Sequence, residues 1–313
     1  MRLLFVLDPL PTLKHYKDSS VAIMRAAHKR GHSIWTCEQR EIFSLEGQVS
    51  ARVRILDFVD SAHWYREGPE EEALLTSFDG VLMRKDPPVD TNFITTTHLL
   101  SLAEAQGAKV FNRAASLRDF NEKLAIFRFP QFIAPTLVTA DMRLIGDFLA
   151  EHSDIIVKPL HGMGGNGVFH LRPADPNRNS ILETLTQRGS HVIMAQKYLP
   201  AIAHGDKRIL LINGEPIPYA LARIPLAGET RGNLAAGGKG VTQVLSAHDR
   251  EIAAVVGRLA QEAGLFLIGL DVIGDCLTEI NVTSPTGFVE INAQSHYDVA
   301  DHFVVALEIQ CAK

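Results

Sequence analysis

Short apolar runs and helical periods alternate through the first part of the chain. Leu3–Leu7 is an apolar run stopped by Asp8-Pro9, which predicts a buried strand and then a loop. Asp18-Ser19-Ser20 opens a helix over Val21–Arg30 that Gly31 stops. Ser33–Thr36 and Gly80–Met83 predict further strands, the second running into Arg84-Lys85-Asp86-Pro87-Pro88. Thr91–Gln106 predicts a helix closed by Gly107, with a strand at Lys109–Phe111. This alternation predicts a parallel sheet with covering helices. Ligands of such sheets sit beyond the carboxyl ends of the strands, here the loops after Leu7 and Met83.

Over residues 112–135 the pattern gives way to short helical pieces and a proline-containing loop, and we place a boundary near Asn121. The resulting parts are 1–120, 121–200 and 201–313. From Thr136 the order is strand, helix (Asp141–Glu151), strand (Ile155–Lys158), glycine-rich loop and strand (Val168–Leu171). A helix (Ser180–Thr186) and a strand (His191–Gln196) follow. Strands at Lys207–Ile212 and Pro216–Arg223 lead into a long polar loop, Pro225–Gly240. Ser246–Ala263 carries Ile252, Val255, Val256 and Leu259 at helical spacing. Strands at Phe266–Ile273 and Leu277–Val282 follow, and the last stretch reads as an ordinary terminal helix.

Composition narrows the classes. With 313 residues and 46% of them hydrophobic, the chain can build two or three cores. A net charge of -5 argues against binding nucleic acid through a broad basic surface. The longest apolar runs fall short of a bilayer span, so no membrane partner is expected. Cys37, Cys276 and Cys311 are scattered and odd in number, which fits a reducing compartment, the cytoplasm.

Four features carry chemistry. In Lys158-Pro159-Leu160-His161-Gly162-Met163-Gly164-Gly165-Asn166-Gly167 the glycines match G-x-G-x-x-G, yet a strand rather than a helix follows. The segment therefore reads as a strand–loop–strand whose backbone can close over phosphates, with Lys158 as a point charge. Glu279 and Asn281 share one face of a strand. A three-residue loop at Gly274-Asp275-Cys276 would set Asp271 opposite Glu279, whereas a two-residue Gly-Asp turn would put Asp271 on the other face. In the first case three oxygen ligands converge, a set suited to magnesium completed by nucleotide phosphates. Arg84, Arg208, Arg223 and Arg231 lie at or near strand ends, where guanidinium forks suit carboxylates and phosphates. The glycine-rich stretch Ile224–Gly240 reads as a connector or as a lid that excludes water from a reactive intermediate.

A glycine loop with a strand lysine, an acid–acid–amide set and a second loop resemble the ATP-grasp superfamily. Within it, MRKDPP (83–88), SLRDFNEKL (116–124), KPLHGMGG (158–165), MAQKYLP (194–200), GDKRIL (205–210), ARIPLAGETRGNLAAGGKG (222–240), GLDVIGD (269–275) and LTEINVTSPTG (277–287) resemble the bacterial glutathione synthetases. The resemblance runs from Leu7 to about Thr286. It implies a mixed α/β chain, an ATP-grasp fold preceded by an N-terminal Rossmann-like parallel α/β domain.

The resemblance also implies an activity: ATP-dependent joining of γ-glutamylcysteine to glycine through an acyl phosphate, by a cytoplasmic homotetramer using magnesium or manganese. It implies that Lys123 and Lys158 contact ATP phosphates under the loop of Gly162, Met163, Gly164 and Gly165. Gln196, Lys197, Tyr198 and Leu199 would hold adenine, and Asp206 would lie near the ribose. Asp271, Glu279 and Asn281 would bind the metal, Asn281 also facing ATP. Arg84, Arg208, Arg223 and Arg231 would handle substrate and the transferring phosphate, with Asn233, Ser284 and Thr286 on the substrate side. Related ligases that join D-alanines or add glutamates, and a nucleotide-binding protein without turnover, are the other readings.

Overall fold

In a computed structural model, residues 1–59, 63–229, 231–232, 234 and 237–313 are described. The chain begins β1 (Arg2–Leu7), α1 (Ser19–Lys29), β2 (Ser33–Glu38), β3 (Ile42–Leu45), β4 (Gln48–Phe58), β5 (Tyr65–Leu74), β6 (Gly80–Met83), α2 (Thr91–Ala105) and β7 (Val110–Phe111). β2, β1, β6 and β7 pair in parallel in that order. β1 is apolar throughout because both its faces are covered. Leu3, Phe5 and Leu7 join one core with α1, while Leu4 and Val6 join another with α2. Asp18 and Asp90 start the two helices, their carboxylates accepting from Val21 N and Phe93 N.

The parallel core has an antiparallel extension that the hydrophobic pattern does not reveal. β4 pairs with β2 and β3 on one edge and with β5 on the other. β5 reads Tyr-Arg-Glu-Gly-Pro-Glu-Glu-Glu-Ala-Leu, with little apolar alternation to mark it. Cross-strand charge holds it: Arg54 on β4 bonds both Glu41 and Glu70.

Next come α3 (Ala114–Asp119), β8 (Thr136–Thr139), α4 (Met142–His152), β9 (Ile155–Pro159), β10 (Phe169–Leu171), α5 (Arg178–Leu185) and β11 (Ile193–Lys197). The four strands form an antiparallel sheet in the order β10-β9-β11-β8. Ile155, Val157, Leu171, Ile193 and Ala195 face α4 and α5 in a core of their own. Strand alternation turns Ile156, Lys158, His170 and Gln196 to the opposite face.

The remainder is β12 (Asp206–Ile212), β13 (Glu215–Ile224), β14 (Lys239–Val244), α6 (Ala247–Glu262), β15 (Leu267–Ile273), β16 (Cys276–Asn281), α7 (Phe288–Ser295) and α8 (Val299–Cys311). Its strands form an antiparallel sheet in the order β14-β13-β12-β15-β16. β14 falls at the end of the stretch read as a loop. α6 rides on the β12–β13 turn so closely that a Cβ on Gly257 would lie 2.0 Å from Gly214 O. Asn112, after β7, fastens this sheet to the first one. Its Nδ2 donates to Leu267 O and Val282 O at 2.8 Å, and its Oδ1 accepts from Leu267 N.

The last helix returns to the first sheet. α8 packs Phe303, Val304 and Leu307 into the core built on β1 and α1. On its rim Glu308 accepts from Arg30 at 2.7 and 3.0 Å and lies 2.7 Å from His32 Nε2. The Arg30 bonds are the largest influence, holding the Glu308 carboxyl down at about 2; slight burial opposes them and His32 adds to them. A carboxyl depressed in the fold contributes stability above its unfolded value and loses it as pH falls through its folded value. We therefore expect Glu308→Gln to lower the urea midpoint at neutral pH. The gap from wild type should begin to close near pH 4.5, the ordinary glutamate value, and vanish near pH 2. No helix among the described residues is long and apolar enough to cross a membrane.

Candidate active site

The strand–loop–strand expected around Lys158 is present: β9 and β10 pair with Phe169 opposite Val157. Between them Gly164, Gly165 and Gly167 adopt φ of 67°, 81° and 70°, a left-handed backbone that glycine enters without strain. Lys158 and Lys123 stand beneath this loop. Lys123 Nζ donates to Gly162 O at 3.1 Å, and the two ammonium groups lie 3.4 and 3.6 Å from Glu279 Oε1. Burial, the largest influence, pushes the Lys158 pKa down, with Glu279 opposing and Lys123 reinforcing.

The β15–β16 hairpin answers the question left open by the sequence. The turn is the two-residue one, since Ile273 pairs with Cys276. A register shift after Asp271 nevertheless places Asp271 opposite Glu279. Thr278 is the extra residue: Val272 pairs with Leu277 and Asp271 with Glu279. Its hydroxyl donates to Asp271 O at 3.1 Å. The bulge thus returns both acids to one face, with Asn281 opposite Gly269 and donating to its carbonyl.

Two arginines converge on Asp271, one from the adjacent strand β12 and one from β13 beyond it. Arg208 reaches it through Nε at 2.6 Å and Nη2 at 3.2 Å, and Arg223 Nη2 lies 2.8 Å away. Burial alone works against the charge of Asp271, yet these guanidinium groups hold it well below the usual carboxylate range. Arg223 also bonds Asp206, at the start of β12. Asp206 is pushed the other way by burial and by the nearby Asp271 charge, against the pull of Arg223. Its Oδ1 is buried and has no hydrogen-bond partner among the described residues.

Two cavities open on this cluster. One is lined by Lys123, Ile156, Lys158, the glycine loop, Gln196, Lys197, Tyr198, Leu199, Asp206 and Arg231. The other lies beyond the carboxyl ends of β1 and β6 and is lined by Asp8, Asp86, Glu122, Arg208, Arg223, Asn281, Ser284 and Thr286. They meet at Asp271, Glu279 and Gly162–Gly164, which line both. Arg231 bonds Glu229 and is about a third exposed.

Arg84 does not face the second cavity. It is buried behind it, its Nε donating to Ser20 Oγ and its Nη2 to Pro285 O, both at 3.0 Å. Burial lowers its pKa to about 10. Ser284 bonds the Asp86 carboxylate, and Thr286 O accepts from Arg208 Nη1. Asn233 lies outside the described residues. Sequence reading passed over Glu122, whose Oε1 accepts from Val282 N, Thr283 N and Thr283 Oγ1 and ties the segment bearing Lys123 to the end of β16. It also passed over Gly269, where a Cβ would lie 2.8 Å from Arg208 Cδ. Only the adjacency of Glu122 to Lys123 pointed to the first.

Among the described residues no three His, Cys, Asp or Glu side chains form a closed metal cage. Two carboxylates and an amide on adjacent strands instead suit an ion that keeps water and phosphate oxygens, as magnesium does.

The descriptions "Prokaryotic glutathione synthetase, N-terminal domain" and "Prokaryotic glutathione synthetase, ATP-grasp domain" match residues 1–118 and 122–296. The chain belongs to the prokaryotic glutathione synthetase family. Such ATP-grasp ligases join γ-glutamylcysteine to glycine at the expense of ATP. The glutathione synthetase of Bordetella parapertussis is 55% identical over 98% of this chain and 99% of its own. That of Nitrosomonas europaea is 55% identical over 100% and 99%, and that of Neisseria meningitidis serogroup B 52% over 98% of each. The likeness therefore continues past Thr286 through α7 and α8, beyond the segments that carried the resemblance.

Solved structures share the fold. The D-cycloserine synthetase DcsG aligns with a TM-score of 0.67 at 17% identity over 99% of this chain and 100% of its own. The ATP-grasp ligase PsnB, solved with a minimal precursor, Mg and ADP, aligns at 0.64 and 16% over 100% and 98%.

Proposed function

We propose that ATP occupies the cavity under the glycine loop, that γ-glutamylcysteine occupies the cavity beyond β1 and β6, and that phosphoryl transfer takes place where the two meet. The observation that carries this is the shared lining: Asp271, Glu279 and the Gly162–Gly164 backbone bound both spaces.

Lys123 and Lys158 are two buried ammonium groups sharing one carboxylate, so a triphosphate is a better counterion for them than Glu279 alone. Gln196–Leu199 border the base end, and the unpartnered Asp206 Oδ1 marks the ribose side. Asp271, Glu279 and Asn281 would hold magnesium, or manganese in its place, which would supply positive charge to offset that of the transferring phosphoryl group. Arg208 and Arg223 then stand beside the cysteinyl carboxylate as it becomes an acyl phosphate. Glycine's amine attacks that carbonyl and phosphate leaves. No side-chain nucleophile is needed; positioning and fixed positive charge lower the barrier. The glycine loop and the stretch from Ile224 to Gly240 shield the acyl phosphate from water. Ser284, Thr286 and Asn233 belong to the substrate side, and Arg84 supports it from behind through Pro285.

The division at residues 120 and 200, the cytoplasmic setting and the homotetramer complete the reading, the last checked by sedimentation. The deciding experiment measures ADP release with ATP, magnesium, γ-glutamylcysteine and glycine, omitting each in turn. Release that needs all four, with glutathione appearing, supports the reading. Release with other amino acids in place of these substrates keeps the ligase and discards the substrates. ATP binding without release favours a nucleotide-binding role.

A further inference from the structure

On the nucleotide face of the β8–β11 sheet, the row that reaches the base end of the cavity runs Gln196, Ile156, His170. These residues are register partners on β11, β9 and β10, so their side chains point the same way. Gln196 and Ile156 line the cavity. His170 stands next in the row, and its ring lies parallel to that of Tyr198, centroids 4.0 Å apart and planes 14° from each other. Tyr198 is one of the residues that border the cavity.

Both rings are held by one residue. The Asp154 carboxylate sits 2.8 Å from His170 Nε2, and because a carboxylate only accepts, that nitrogen carries the proton. The Asp154 carbonyl accepts from Tyr198 N at 2.9 Å. Arg172 steadies the same carboxylate, its Nε 2.9 Å from Oδ1. Asp154 immediately precedes β9, so the clamp is attached to the strand that carries Ile156 and Lys158.

We infer that Asp154 and His170 are positioning residues for the nucleotide base: the stacked His170 ring fixes Tyr198, and with it the gap between residues 197–199 and the floor at Ile156 into which a planar heterocycle slides. The inference rests on the placement of ATP given above. It assigns no chemistry to His170, so a change there alters how tightly the base is held and not the rate of phosphoryl transfer at Glu279.

The test compares His170→Ala, His170→Phe and Asp154→Asn with wild type. ATP affinity is measured by calorimetry with magnesium-ATP alone, and KM and kcat in the complete reaction. Loss of one aromatic stack is expected to weaken ATP binding and raise its KM roughly 3- to 10-fold in His170→Ala. kcat and the KM values for the other substrates should stay near wild type. His170→Phe keeps a flat ring and should recover most of the loss, and Asp154→Asn should fall between. Unchanged ATP affinity in His170→Ala overturns the inference. So does a His170→Phe variant as weak as His170→Ala, or a fall in kcat without a change in KM. If His170→Ala does not fold, the comparison of His170→Phe with Asp154→Asn decides: equal wild-type affinity in both overturns it. If wild type makes no glutathione, the substrate reading fails, and the calorimetric series still tests the clamp.

Discussion

Glu279→Ala should lower the rate of ADP release by about a thousandfold or more while the protein stays folded. Glu279 is the residue at which three functions overlap. It pairs with Lys123 and Lys158, lies opposite Asp271, and lines both cavities. In the proposed site, removing its carboxylate would leave the ion without one of two acidic ligands, and it leaves the lysines without their protein counterion. Lys123 and Lys158 are buried, and leaving them without a carboxylate costs about 3–5 kcal/mol, so the urea midpoint should fall while the folded baseline remains. Glu279→Gln, which keeps the shape and one oxygen donor, should be similarly slow. Steady-state turnover and urea denaturation on the same preparations check both halves. Turnover near wild type would remove Glu279 from the metal site, whereas loss of the folded baseline would make it a structural residue.

The features legible in the sequence were those with a local physical signature. β1 announced itself as a continuous apolar run because both faces are covered, and Asp18 and Ser246 marked helix starts because their side chains accept from the first turn. The glycine loop was legible because left-handed backbone between two strands calls for glycine. What was illegible depends on partners far along the chain. β5 is a strand because β4 sets Arg52 and Arg54 against its glutamates, and its own residues lack the alternation that would declare it. The face of Asp271 hinged on whether the hairpin carries a bulge, and a two-residue turn alone gave the opposite answer. Arg84 directly follows β6 rather than ending it, and the carbonyl of Pro285 and the hydroxyl of Ser20 draw it inward. No spacing rule shows that Glu122 would cap the end of β16, or that Gly269 would be bare to let Arg208 pass.

Arg223→Ala should damage both fold and reaction, and a second substitution should separate the two effects. Arg223 is buried and is shared by Asp206 and Asp271, themselves deep in the site. Without it Asp206 loses its guanidinium partner, and Asp271 keeps only Arg208. Leaving a buried carboxylate unpaired costs about 3–5 kcal/mol, which urea denaturation would register as a lower midpoint with an unchanged slope. Turnover should fall about a hundredfold or more, because a positive charge beside the forming acyl phosphate is gone. Adding Asp206→Asn removes the carboxylate that Arg223 was neutralising. The double variant should therefore regain much of the lost stability, yet turn over no faster than Arg223→Ala. A double variant that recovered turnover along with stability would show that Arg223 serves only to neutralise Asp206. If stability did not recover, the unpaired charge would be that of Asp271, and Arg208 alone would be insufficient to hold it.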